Sequence, residues 1–276
     1  MAGIVNTLFG KILEWIFFPF RNLSPWFNMV FISFLTGLLM LFVFRATSNQ
    51  EGIRRTKNKI KAHLLEMRLY KDSLSLTFKA MGNILFHNLK YIGHSVRPLL
   101  VMIGPILLIL LQLNLWFGYQ SIREGDPVLL KVKLKEEINP LEIPFVLESL
   151  SGMTVETPPL RIPEEREIDW RLRAKEKGVH LLTLHWNGRT VTQKIYVAQN
   201  RLTRISPIKV QKGFFREVLN PGETPLPKDA PLERMEVAYP GQSMNLFGGH
   251  VHWLIAFFVL SIVFGFTFKG IFKVEI

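Results

Sequence analysis

Histidine suits metal binding and proton transfer near neutral pH, and four of the chain's seven histidines fall in pairs. His250 and His252 flank Val251 at the edge of an apolar stretch. His180 and His185 lie in strand-like runs, where an odd separation puts them on opposite faces. Neither pair has the acidic or thiol partners that would complete a metal set. The chain has no GxGxxG, Walker-type loop, HExxH, GxSxG or CxxC. Intramembrane proteolysis would need Ser with His, or paired Asp, inside apolar stretches, and neither pattern is present. No metal, no cofactor and no catalytic set is expected, and the chain reads as not an enzyme.

The residues that remain are polar side chains inside otherwise apolar segments. Asn28, Ser33 and Thr36 share one such segment, with Arg45 at its end. Gln112 and Asn114 occupy a second, and Ser261 and Thr267 a third. A polar group in hydrocarbon is costly, so these should face other helices or a wet cavity. Interhelical hydrogen bonds are one reading. A hydrated groove that eases a polar segment into the bilayer is the other.

The elements that must position them follow from hydropathy. Although only 48% of residues are hydrophobic, Trp26–Phe44, Pro98–Phe117 and Val251–Phe268 hold almost no charge. Each has about the length that a 30 Å hydrocarbon core demands of a helix. Gly3–Phe20 is apolar near helical spacing but carries Lys11 and Glu14, and Pro19 near its end, with Arg21 and Pro25 after it, stands where a cleavage site would be. It reads as an amphipathic helix in the membrane interface, with Trp15 and Trp26 at headgroup level. A first spanning helix is the alternative.

Charge orients the chain. Between the first two apolar stretches lie Arg45, Arg54, Arg55, Lys57, Lys59, Lys61, Arg68, Lys71, Lys79, Lys90 and Arg97, against Glu51, Glu66 and Asp72. Positive residues in a short loop mark the cytoplasmic side. The amino terminus and Gly118–Gly249 are then outside, and the tail with Lys269 and Lys273 inside. Topology and anionic lipid account for much of the net charge of +12, without any nucleic-acid motif.

Inside the basic loop, Ile60, Leu64, Met67, Lys71, Leu74, Phe78, Met81 and Leu85 alternate by four and three, as in a coiled-coil seam. Asp72 and Ser73 are good N-cap residues, which predicts a helical hairpin turning near Tyr70–Ser73. One long helix is the alternative. In the outer segment Val128–Lys135, Glu167–Arg173, Val179–Trp186 and Thr190–Val197 alternate like strands, with weaker candidates at Arg204–Val210 and Arg234–Ala238. Asn187-Gly188 is a strong hairpin signal and Lys177-Gly178 a second turn. An antiparallel β-sandwich, immunoglobulin-like in outline, is expected. The chain has no cysteine, so the domain has no disulfide, and the proline-rich Asn220–Pro231 reads as a linker or loop.

The expected order is thus an interfacial helix (1–25), span one (26–44), a basic cytoplasmic hairpin (45–97), span two (98–117), the outer β domain with its linker (118–249), span three (250–268) and an inner tail (269–276). This order, with Lys59-Ile60 and Glu66-Met67 in the hairpin, then Arg97-Pro98-Leu99-Leu100 and Gly104-Pro105-Ile106, resembles the YidC/Oxa/Alb membrane-insertase superfamily. With three spans it is most similar to the reduced archaeal and endoplasmic-reticulum members. The resemblance covers roughly residues 1–118 and 250–276, and the outer domain is not part of that reduced plan. It implies an insertase or intramembrane chaperone that makes no bonds. A groove of Asn28, Ser33, Thr36, Arg45, Gln112 and Asn114 would receive clients, with Arg45 standing where many bacterial members keep a groove arginine. Arg54, Arg55, Lys57, Lys59, Lys61 and Arg68 would be the hairpin's contacts. The implied partners are membrane lipids, hydrophobic client proteins or a membrane-complex subunit, and the ribosome, with no specific nucleic acid. A bacterial inner membrane is the expected location. The other function class is a membrane-anchored scaffold whose outer domain binds a protein partner.

Overall fold

The computed structural model describes residues 2–149, 152–199, 202–246 and 249–275. It contains helices and antiparallel β-sheets, and the chain divides into two compact units, Met1–Asn28 with Leu108–Trp253 and Met29–Leu107 with Leu254–Ile276. The helices are α1 (Ala2–Phe17), α2 (Pro25–Thr47), α3 (Gln50–Leu69), α4 (Leu74–Phe117), a short α5 (Phe214–Leu219) and α6 (Trp253–Phe268). By length and composition α2 and α4 suffice to cross a membrane. The apolar α6 is shorter, at 16 residues.

The first unit is built on alternation. Strand β1 (Pro127–Leu134) turns Val128, Leu130, Val132 and Leu134 inward and Lys131 and Lys133 outward. Three more strands lie where the alternating runs predict them: β5 (Glu167–Ala174), β6 (Gly178–Trp186) and β7 (Arg189–Val197). Three short strands escape the sequence pattern: β2 (Val146–Ser149), β3 (Met153–Val155) and β4 (Leu160–Ile162). They are too short for a period of two to register. With β8 (Ile208–Val210) and β9 (Leu232–Val237) they form two sheets, a six-stranded one ordered β3-β5-β1-β9-β8, with β4 also paired to β5, and a three-stranded one ordered β2-β6-β7. One core serves both: Leu130, Ile168, Leu172 and Val237 from the larger sheet cluster with Leu182, Leu184, Ile195 and Val197 from the smaller. Each such side chain contributes about 1.5–3 kcal/mol when fully buried. A separate ribbon pairs β10 (Met244–Leu246) with β11 (Gly249–Val251).

Asn187 and Gly188 both have positive φ, 44° and 73°, the signature of a type I′ turn between β6 and β7. The segment after α5 is not a loose linker, because Leu226 and Ala230 are buried in the core and Leu226 exchanges backbone hydrogen bonds with Val210 and Lys212. Helix α1 turns Leu13 and Phe17 into this unit, where Phe17 packs edge-on against Trp116 and Phe117 at 5.0 and 5.8 Å. Its other side exposes Leu8, Ile12 and Trp15.

In the second unit α3 ends at Leu69 and α4 begins at Leu74, so the chain turns within the predicted Tyr70–Ser73. Asn49 caps α3 through Gly52 N at 2.8 Å, and the carbonyl of Ser73 accepts the first helical hydrogen bond of α4, from Thr77. The second arm and the next apolar stretch form one 44-residue helix, α4, which carries Pro98 and Pro105 in its interior. Each proline removes one backbone donor but leaves the helix unbroken. The arms meet where His63 and His87 lie 5.4 Å apart, not along the sequence-derived seam. Leu64, Leu74 and Phe78 of that seam are 51, 74 and 70% exposed, and Met81 and Leu85 are exposed too. Small Ala80 is buried instead. The carboxy-terminal tail docks on α3: Glu275 N donates to Gln50 Oε1 at 2.7 Å, Lys57 pairs with Glu275 at 3.2 Å, and Val274 joins Leu41, Phe44 and Ile53 in a small core.

Candidate functional site

In the second unit α2, α4 and α6 line an open apolar cavity of about 390 Å³. Met40 and Phe44 line it from α2, Met102 and Ile106 from α4, and Phe257 and Phe266 from α6. Thr36 and Ser261 are its only side chains with a polar group among the described residues. The Ser261 hydroxyl is buried with no hydrogen-bond partner among those residues, which costs about 1–3 kcal/mol in such surroundings. The helices come this close because of Gly37. A Cβ there would stand 2.9 Å from the Ser261 carbonyl oxygen and 3.2 Å from Phe264 Cβ. Phe34 reinforces the approach, stacking edge-on with Phe264 and Phe268 at 5.4 and 5.5 Å. A helix is roughly 10–12 Å across, so the cavity seats the side chains of one helix face rather than a whole helix.

The six residues expected to line a client groove divide between the two units: Ser33, Thr36 and Arg45 lie in the second, and Asn28, Gln112 and Asn114 in the first. In the second unit Thr36 lines the apolar cavity, the buried Ser33 hydroxyl has no hydrogen-bond partner among the described residues, and Arg45 is exposed. Arg45 donates to the Phe272 carbonyl at 2.9 Å, which ties the end of α2 to the turn after α6. In the first unit Asn28 is fully buried and donates to the carbonyls of Phe20 and Ser24, which ties the start of α2 to the turn before it. Gln112 bonds at 3.3 Å to the Asn6 carbonyl and accepts from Arg204 at 3.3 Å, so its partners are α1 and the β domain. Asn114 is half-buried beside Gly118. Hydropathy alone could not separate these roles, because each partner is distant in sequence. Ser261, read from the sequence as a polar residue of the third apolar stretch, does line the cavity; what sequence reasoning missed is the pair of glycines beside it, Gly37 and Gly265. Their presence inside apolar stretches was the available signal.

On the hairpin, Arg54, Arg55, Lys59, Lys61 and Arg68 are exposed and Lys57 is half-buried against the tail. Arg55 pairs with Glu51 one turn away. Among these cations stand the exposed Leu64, Leu65, Leu69, Leu74 and Phe78. Among the described residues no group of three or more His, Asp or Glu is placed to hold a metal; His250 Nδ1 lies 3.3 Å from Ser243 Oγ. Comparison with known proteins finds no matching family model, no matching curated protein and no matching solved structure.

Proposed function

We propose that this chain is a membrane-protein insertase or intramembrane chaperone, related in plan to the YidC/Oxa/Alb superfamily, with three spans and an outer antiparallel β-sandwich. The observation that carries the reading is the apolar cavity between α2, α4 and α6, with two hydroxyl groups in its wall. A client segment would lodge the side chains of one face there and exchange protein contacts for lipid as it leaves. Nothing is cleaved or transferred. The exposed apolar and basic hairpin would meet clients on the cytoplasmic side, where the positive-inside rule puts it. The membrane reading is supported by exposure: only 44% of the most apolar window of α2 and 28% of that of α4 are buried, whereas a core helix of a soluble protein hides its apolar surface. The third span is α6, whose 16 residues would cross with the flanking turns and a locally thinned bilayer. Trp15, Leu8 and Ile12 of α1 would lie in the outer interface.

Thr36→Phe tests the cavity by filling it. In vesicles reconstituted with the full chain, insertion of a single-span client should fall severalfold while the variant itself accumulates at the wild-type level. Unchanged insertion would remove the cavity from the mechanism and favour the anchored scaffold, whose outer domain holds a partner.

A further inference from the structure

The first unit contains a second cavity, of about 450 Å³, at the junction of α1 with the β domain. Its wall is charged: Arg21, Lys194, Arg204 and Lys209 stand against Glu14 and Glu223. Two of the four cations are engaged. Lys209, only 5% exposed, pairs with Glu223 at 3.3 Å and donates to the Thr192 carbonyl. Arg204 lies 3.9 Å from Glu14 and donates to Gln112 and to the Pro221 carbonyl; burial pulls its pKa below the ordinary arginine value, opposed by Glu14. Arg21 and Lys194 make no ion pair among the described residues, and the Arg21 guanidinium has only the Phe18 ring, 5.8 Å away. Four cations against two carboxylates leave an excess of two positive charges around a partly enclosed space. A low-dielectric wall strengthens that potential toward an anion.

Position narrows the ligand. Arg21 stands just before Pro25, where the apolar α2 begins, and its carbonyl accepts from Leu202 N at 3.2 Å. We propose that this cavity binds the phosphate of an anionic phospholipid headgroup, with Arg21 and Lys194 as its direct ligands. Arg204 and Lys209 hold the positive potential behind them. An arginine fork and a lysine ammonium suit phosphate oxygens through charge-assisted hydrogen bonds. The bound headgroup would fix the β domain at the membrane surface. The lipid as source rests on the proposed membrane reading; the phosphate chemistry does not.

The test uses the full chain in an uncharged detergent. It is titrated with short-chain phosphatidylglycerol, with phosphatidylcholine of equal chain length, and with inorganic phosphate. Phosphatidylglycerol should bind tightest, and Arg21→Gln and Lys194→Gln should each weaken it about tenfold, the worth of one hydrogen bond to a charged group. Lys194 is exposed, so Lys194→Gln decides the matter if Arg21→Gln misfolds. Equal affinity of wild type and Lys194→Gln overturns the site. Inorganic phosphate binding as tightly as the lipid overturns the headgroup as source. Client insertion measured on the same variants separates the two ideas: lost lipid affinity with unchanged insertion supports the site alone, and a wild type that binds lipid without inserting clients sinks only the insertase reading.

Discussion

Single residues carry two consequences that can be measured on the intact chain. Gly188 holds φ at 73° in the β6–β7 turn, a region where a β-branched side chain is strained. Gly188→Val should destabilise the β domain by about 1–2 kcal/mol, seen as a lower unfolding midpoint in tryptophan fluorescence. Asp169 on β5 has its pKa raised above 3.8 by burial, with Lys131 on the neighbouring strand acting in the opposite direction. A raised carboxyl pKa means the folded state binds the proton more tightly than the unfolded one, so the native state gains stability below the folded pKa and loses it as pH rises through that value. Asp169→Asn should therefore raise the unfolding midpoint at neutral pH and leave it nearly unchanged at about pH 3, where aspartate is mostly protonated in both states. A gain of equal size at both pH values would show that packing, not charge, sets the effect.

Among the elements, what the sequence discloses follows the length and regularity of its pattern. The strands β1, β5, β6 and β7 are legible because eight or nine residues of alternation leave little ambiguity, and Asn187-Gly188 fixes the register between two of them. The hairpin turn is legible from its caps. Its seam is not, because heptad-like spacing in one arm says nothing of which face meets the other, and Leu74 and Phe78 point away from it. The cavity was half legible: Thr36 is in its wall, but Gln112 belongs to Arg204, a partner 92 residues away. Close packing of α2 on α6 makes Gly37 the sensitive point of the second unit. Gly37→Val should lower the accumulation of the chain, since overpacking costs about 1–3 kcal/mol and the nearest obstacle is backbone. Gly104→Val on α4, with nothing within 4 Å of the added carbon, should not. Equal loss in both would point to helix propensity rather than packing. Leu74→Ser with Phe78→Ser should leave stability within about 0.5 kcal/mol, as exposed substitutions do, while reducing client capture if the hairpin receives clients.

At the scale of the whole molecule, orientation can be read directly because the chain has no native cysteine. A cysteine at exposed Asn187 should react with a membrane-impermeant thiol reagent added outside intact cells, and one at exposed Lys61 should react only after lysis. The reverse pattern would place the basic hairpin outside and remove its proposed encounter with nascent clients. The most direct measurement of the account is contact itself. A photo-crosslinking amino acid at Met102, in the cavity wall, is presented with ribosome-bound nascent chains that carry one apolar segment. A crosslink should appear once the segment has emerged from the ribosome and be lost in Thr36→Phe. No crosslink from Met102 to any nascent chain, together with a stable partner co-purifying through the β domain, would contradict it.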